Sequence, residues 1–305
     1  MNLPARTPNP SQSVRDLTWL LTSQGLIDRS VSAARIDQSL ESAGLNFCGE
    51  ELNEFLNRQT GKGSHRVGRY FERLVLFYLE RIRKVEIVAA GLQIQEGGRT
   101  VGELDFVFRD EQGQLQHWEA AVKFYLLFSG EHISGSHLIG PDPRDNFERK
   151  MRRLFEHQLP LSERVFSDIA ERHVFVKGRV FYHPESPPPN TLLDQLSPDH
   201  LRGRWIYSTE LNWLVRLCGS HHNVVARIQQ KPFWLSPDFE VDEADDMSHR
   251  GLLPVDRMQN SLTSHFQESS SPRLVCLLGR ESGHWREFDR IFIVPESWPG
   301  EAPSR

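Results

Sequence analysis

The chain has 305 residues, 38% hydrophobic and 25% charged, with a net charge of −5. That length can bury a sizeable core in one large α/β domain or two smaller ones, and no apolar run approaches the roughly 18 residues of a membrane span. The negative balance excludes a general polyanion binder, so any nucleic-acid contact must come from a local basic patch.

Residues 1–13 are rich in Pro, Ser and Asn and lack the apolar centre of a signal peptide, so a loose lead-in and a cytoplasmic location are expected. Cys48, Cys218 and Cys276 are odd in number and unpaired by any C-x-x-C spacing, which fits free thiols in a reducing compartment. The run Val14 to Leu21 has helical spacing with Ser13 as its N-cap, and further helices are expected over Ser32–Ser42 and Glu50–Gln59. Residues 1–60 thus read as a helical prelude. Gly61 to Arg66 is a glycine-bearing loop, but not a Walker A motif, because Gly-Lys is followed by Gly.

From Val67 to Arg83, Phe71, Leu74, Val75, Tyr78, Leu79 and Ile82 recur at three and four, as an amphipathic helix requires. Arg58, Lys62, Arg66, Arg69, Arg73, Arg81, Arg83 and Lys84 crowd this region against only Glu72 and Glu80. Such a face can grip phosphates, or it can simply be solvated. Val85 to Gln95 reads as a strand and Glu96-Gly97-Gly98-Arg99 as a hairpin turn.

The stretch Val101 to Leu126 then reads as two strands broken by Asp110-Glu111-Gln112-Gly113. Alternation places Leu104, Phe106, Phe108, Trp118, Ala120, Val122 and Phe124 on one face. The opposite face gathers Glu103, Asp105, Glu119 and Lys123. A glycine-rich loop, Ser129 to Pro143, follows as a candidate rim, and then a helix from Arg144 to His157 carrying Arg149, Lys150, Arg152 and Arg153.

His173 to Tyr182 is strand-like and Pro184 to Pro189 interrupts regular structure. Ser208 to Leu217 is expected to be helical, and Val224–Ile228, Arg273–Leu278 and Phe288–Val294 are strand candidates. Asp238 to Asp246 carries six acids and no base, the pattern of an exposed loop. His221-His222 has no companion ligand at metal spacing, and Trp205, Trp213, Trp234, Trp285 and Trp298 are expected in the core.

Gly102-Glu103-Leu104-Asp105, followed by a strand ending Ala121-Val122-Lys123, resembles the core of the PD-(D/E)XK nuclease superfamily. The wider chain, with GPDPRDNFERKMRRLFEHQL after that core and VPESWP near the end, resembles the bacterial domain-of-unknown-function family 1853. The resemblance implies a mixed central sheet with flanking helices, a restriction-endonuclease-like core over 61–160 and an α/β extension over 161–305. It implies a Mg2+ (or Mn2+) site at Asp105 and Glu119, with Glu72 reaching the ion, Val122 adding its carbonyl, and Lys123 assisting the attacking water. Arg69, Lys150 and Gln158 would face a DNA or RNA phosphate, and Glu103 would support them. One departure stands out: Ala121 occupies the acid position two before Lys123, and Glu119 lies one pleat back, roughly 7 Å away.

Three classes of function remain open on the sequence. The first is a metal-dependent nuclease. The second is a non-catalytic nucleic-acid or protein-binding module on a degenerate nuclease fold, which Ala121 favours. The third is an enzyme whose site lies in the second half. On residue types alone, Asp105, Glu119 and Lys123 also fit a solvated cross-strand ion-pair set.

Overall fold

A computed structural model describes residues 11–28, 30, 49–58, 65–128, 137–186, 195–219, 221, 223–241 and 251–300. The expected helix at 32–42, Cys48, the glycines of the 61–64 loop, most of the 129–143 rim, Pro187 to Pro189, His222 and the acids at 242–246 lie outside these residues. Among the described residues no helix is long and apolar enough to cross a membrane.

The first half supplies helices α1 (Gln12–Thr22), α2 (Gly49–Arg58) and α3 (Val67–Phe77), the last extended by a π-helical turn, Tyr78–Ile82. Strands β1 (Glu86–Glu96), β2 (Arg99–Arg109) and β3 (Leu115–Leu127) form an antiparallel meander. The β1–β2 turn needs positive φ at both central residues, which Gly97 (54°) and Gly98 (75°) adopt without penalty. After the short β4 (Leu138–Ile139) comes α4 (Phe147–Arg153), which runs on through a π-helical turn, Leu154–Gln158, to Leu161.

Next come β5 (Ile169–Tyr182), β6 (Leu201–Tyr207), α5 (Asn212–Cys218) and β7 (Val225–Ile228). The chain then forms β8 (Phe239–Val241), β9 (Leu253–Pro254), α6 (Val255–Glu268), β10 (Arg273–Glu281) and β11 (His284–Val294). Among the described residues, all eleven strands belong to one mixed sheet, in the order β1-β2-β3-β5-β6-β11-β10-β7-β9, with β4 beside β3 and β8 beside β11. The central run β3, β5, β6 and β11 is parallel. β5 begins beyond the expected boundary at 160 yet lies between β3 and β6, so both halves share the sheet.

Parallel strands are covered on both faces, and β3 is buried along nearly its whole length. One face packs Phe106, Phe108, Trp118, Phe124 and Phe175 against Phe71 and Leu74 of α3, and against α1 and α2. The other packs Ala121, Tyr125, Val174 and Val176 against Phe147, Met151 and Leu154 of the α4 segment. Farther along, α5 and α6 cover Ile206, Val275, Ile291 and Ile293. Burial of each large apolar side chain contributes about 1.5–3 kcal/mol.

Several local expectations change. α1 starts at Gln12, so Ser13 is inside it rather than capping it, and its hydroxyl donates to Asn53 Oδ1 (2.6 Å). α4 starts at Phe147, because Asn146 caps it by accepting from the Arg149 N–H (2.9 Å). Leu104 does not join Phe106 and Phe108; it packs with Ile94, Val107, Leu115 and Leu161 on the other side. Asp238 is buried rather than in an exposed loop, paired with Arg227 at 2.9 Å. β6 and α6 stand where no element was expected. Trp205, Trp234, Trp285 and Trp298 are buried and His221 stacks on Phe288, 4.0 Å between ring centroids.

A buried polar knot joins α1 to α3 and to the loop at Ser236. The Asp16 carboxylate, fully buried in α1, accepts from Tyr70 Oη (2.9 Å), from the Ser236 N–H (3.0 Å) and hydroxyl (2.7 Å), and from Gln12 Nε2 (3.0 Å). Burial raises its pKa, and those donors oppose the rise.

Gly178 of β5 stands opposite Lys123 of β3 with φ of 152°, and a Cβ there would run into the Lys123 carbonyl. A strand glycine of this kind marks a close backbone approach. Gly178→Ala is expected to cost about 3 kcal/mol or more, read as a lowered midpoint in urea unfolding; an unchanged midpoint would show that the strands part freely here.

Candidate active site at the β2–β3 split

The paired register of β2 and β3 runs from Arg109↔Leu115 to Phe106↔Trp118 and stops there, although both strands continue. Beyond that point side chains replace the ladder. The Ala120 N–H donates to Asp105 Oδ2 (2.9 Å), and the Asp105 N–H reaches Glu119 Oε1 (3.4 Å). Leu161, at the end of the α4 segment, packs in the space beside Gly102 that a Cβ would need. The motif glycine thus lets that segment approach β2 beside the unpaired stretch.

Glu119 is fully buried and held at both oxygens. Gln158 Nε2 donates to Oε2 (2.6 Å), and His117 Nε2 lies 3.0 Å from Oε1. Lys150 Nζ in turn contacts Gln158 Oε1 (3.4 Å). Burial raises the Glu119 pKa to about 7. Burial, then the Glu119 charge, raises that of Asp105 to about 7. The two are close enough to titrate as a pair.

Lys150 is pushed down by burial and by the Lys123 ammonium, while the charges of Asp105 and Glu119 pull it back up. His117 is lowered to about 4, chiefly by burial, and so stays neutral at pH 7.

From the opposite face α3 brings Glu72, raised to about 7 by burial and then by Asp105. Arg69 spans Glu72 (2.8 Å) and Glu103 (3.2 Å), which keeps Glu103 at the edge of the cluster. The structure therefore gathers Asp105, Glu119, Lys150 and Gln158 closely, with Glu72, Glu103 and Arg69 alongside. Lys123 pairs instead with Asp145 (2.6 Å), in the loop before α4, and stands beside Lys150.

The basic stretch from Arg58 to Lys84 is partly neutralised: Arg58 pairs with Glu54, Arg81 with Glu51 (3.7 Å) and Arg83 with Glu111 (2.8 Å). His117 and Asp145 were missed from sequence. His117 lies two residues before Glu119, hence on the same strand face, whereas Asp145 follows Lys123 by 22 residues with no spacing signal.

The side chains that could take up a hard cation are Asp105, Glu119 and Glu72. Among the described residues no cluster of three or more His, Cys, Asp or Glu side chains is set to hold a metal ion by itself.

Fold and site together define a mixed α/β protein with a carboxylate pair at a strand split, bordered by two lysines. A family model described as domain of unknown function (DUF1853) matches residues 15–294, and the chain belongs to that family. Among curated proteins none matches it.

Acids held above their ordinary pKa bind more protons folded than unfolded, so their stabilising contribution is complete below the unfolded values of 3.8 and 4.5. It is lost as pH rises through about 7. Glu119→Gln removes one titration and is expected to flatten the loss of stability between about pH 4.5 and 7, by on the order of 1–3 kcal/mol, read from melting curves across that range. A slope matching the unaltered protein would mean that Glu119 is ionised at no cost.

Proposed function

We propose that this chain is a metal-dependent phosphodiesterase, a nuclease acting on DNA or RNA in the cytoplasm, built on a PD-(D/E)XK-type core. The observation that carries this reading is the split between β2 and β3, where Asp105 and Glu119 meet beside Lys150. The order α3, three-strand meander, α4, parallel β5 supports it, with helices on both faces of the sheet.

The donor set fits a hard divalent ion. Two desolvated carboxylates leave negative charge that their hydrogen bonds relieve only in part, and Mg2+ commonly takes one or two carboxylates, the rest of its shell being water and substrate. Asp105 and Glu119 would hold Mg2+ (or Mn2+), with Glu72 within reach through water. When bound, the ion supplies an activated water and neutralises charge on the phosphate.

The chain's own groups divide the remaining work. Gln158 and His117 hold the Glu119 carboxylate in one orientation. Lys150, neighbour to both acids, offsets their charge. Lys123 offers an ammonium to a phosphate oxygen once it leaves Asp145, and positions or helps deprotonate the attacking water. Arg69 restrains Glu72 and Glu103 and presents a half-exposed guanidinium to a phosphate, the rest of the helix face adding local positive charge.

The second reading is a nucleic-acid or protein-binding module without catalysis. Full burial of Glu119, with both oxygens already hydrogen-bonded, favours it, as does Ala121 in the usual acid position.

End-labelled DNA and RNA oligonucleotides incubated with Mg2+ or Mn2+ separate the two. Cleavage abolished by EDTA is expected, with Asp105→Ala and Lys123→Ala each lowering the rate by about 10²-fold or more. Salt-sensitive binding without cleavage selects the second reading.

A further inference from the structure

A concave site lies on the α3 side of the sheet, apart from the carboxylate cluster. It is a groove of about 470 Å³ between the start of α1, the end of α2, the start of α3 and the loop 232–233. Its size is that of a small-molecule site. Its walls include Asn53, Asn57, His65, Tyr70, Arg73 and Phe233. Among the described residues no lining side chain is acidic, although the chain carries 41 Asp and Glu. The groove therefore suits a neutral or anionic ligand and disfavours a cation.

Phe233 gives the ligand its shape. It is 39% exposed, unusual for so large an apolar side chain in this fold, and meets Tyr70 edge to face, with centroids 5.6 Å apart and planes at 84°. An aromatic buttressed at its edge retains a face for stacking. Its loop is fixed from below: the buried Arg290 guanidinium donates to the carbonyls of Trp234 (2.5 Å) and Ser236 (2.6 Å), and the Phe233 N–H donates to Gln230 O (2.9 Å). The platform is rigid before any ligand arrives.

The polar groups suit a planar heterocycle joined to an anion. Asn53 accepts from Ser13 through Oδ1, which leaves its amide NH2 as a donor, and Asn57 adds a second amide. Arg73 spends one N–H on Leu56 O (3.4 Å), and a guanidinium has five to offer. Arg73 also follows Arg69 by four residues on α3, so the two lie along one side of that helix. A line of guanidinium groups thus links the groove to the carboxylate cluster, where Arg69 binds Glu72 and Glu103.

We propose that this groove receives an unpaired nucleobase, stacked on Phe233, with its phosphate on Arg73. The proposal rests on the nuclease reading and deepens it, making single-stranded or locally opened nucleic acid the substrate class. A base inside a duplex cannot present its face to a side chain, whereas an unpaired one stacks without sequence preference.

The test uses the full chain in EDTA, so that binding is read without hydrolysis. The probe is a single-stranded oligonucleotide carrying 2-aminopurine, whose fluorescence falls on stacking. Quenching is expected with the unaltered protein. Phe233→Ala is expected to abolish it and weaken binding about five- to a hundredfold. Arg73→Gln should weaken binding with a shallower salt dependence. Thermal melting checks that both variants are folded, and Phe233 is exposed enough for its loss to be tolerated.

Absence of quenching by the unaltered chain, or quenching and affinity unchanged in Phe233→Ala, overturns the proposal. So does a duplex that binds as tightly as the single strand. Quenching without any cleavage in Mg2+ leaves the groove standing and removes the hydrolytic reading alone.

Discussion

Everything near the candidate site follows from two strands that stop pairing halfway. A β-ladder left open inside a protein strands its N–H and C=O groups, and buried backbone polar groups require partners. Here the partners are carboxylates: Asp105 accepts from the Ala120 N–H, and Glu119 from that of Asp105. The acids therefore serve the fold before they serve any chemistry. Leu161 packs on Gly102 beside the opening, and β5 pairs with β3 along its other edge.

That arrangement concentrates negative charge where water is scarce. Three acids, Asp105, Glu119 and Glu72, are all shifted up towards neutrality, and burial is the leading cause for each. Lys150 compensates only in part, because the same burial weakens its hold on a proton. A solvated ion-pair set on a strand face would show neither the desolvation nor the upward shifts. Titratable groups pushed in this way occur at functional sites more often than elsewhere, although structural networks produce them as well.

Much of this was legible because the signals were local. The period-two alternation of β2 and β3, the three-four spacing of α3 and the paired glycines of the first turn each depend on neighbours in sequence. Asp105 and Glu119 were readable from that alternation together with the family likeness. β6 escaped because LRGRWIY alternates poorly and follows a proline-rich stretch. α6 escaped because its packing positions, Val255, Met258, Leu262 and Phe266, are thinly spread among polar residues. Lys123 was expected to meet the acids, yet its partner is Asp145, a contact set by how a loop folds back. Leu104 was assigned to the wrong face because strict alternation ignores the twist at the split. His117 carried a usable clue in its two-residue offset from Glu119.

Asp16 has one more implication. Its seat is completed by Ser236, 220 residues downstream, so the buried carboxylate of α1 lacks two of its donors until the chain has grown that far. Leu17 and Leu20, both fully buried, pack in one cluster with Leu52, Leu56 and Phe71, so the apolar side of α1 is covered by near neighbours while its acid depends on a distant serine. Contacts of such wide separation slow assembly, so the apolar cover of α1 precedes the closing of its polar seat.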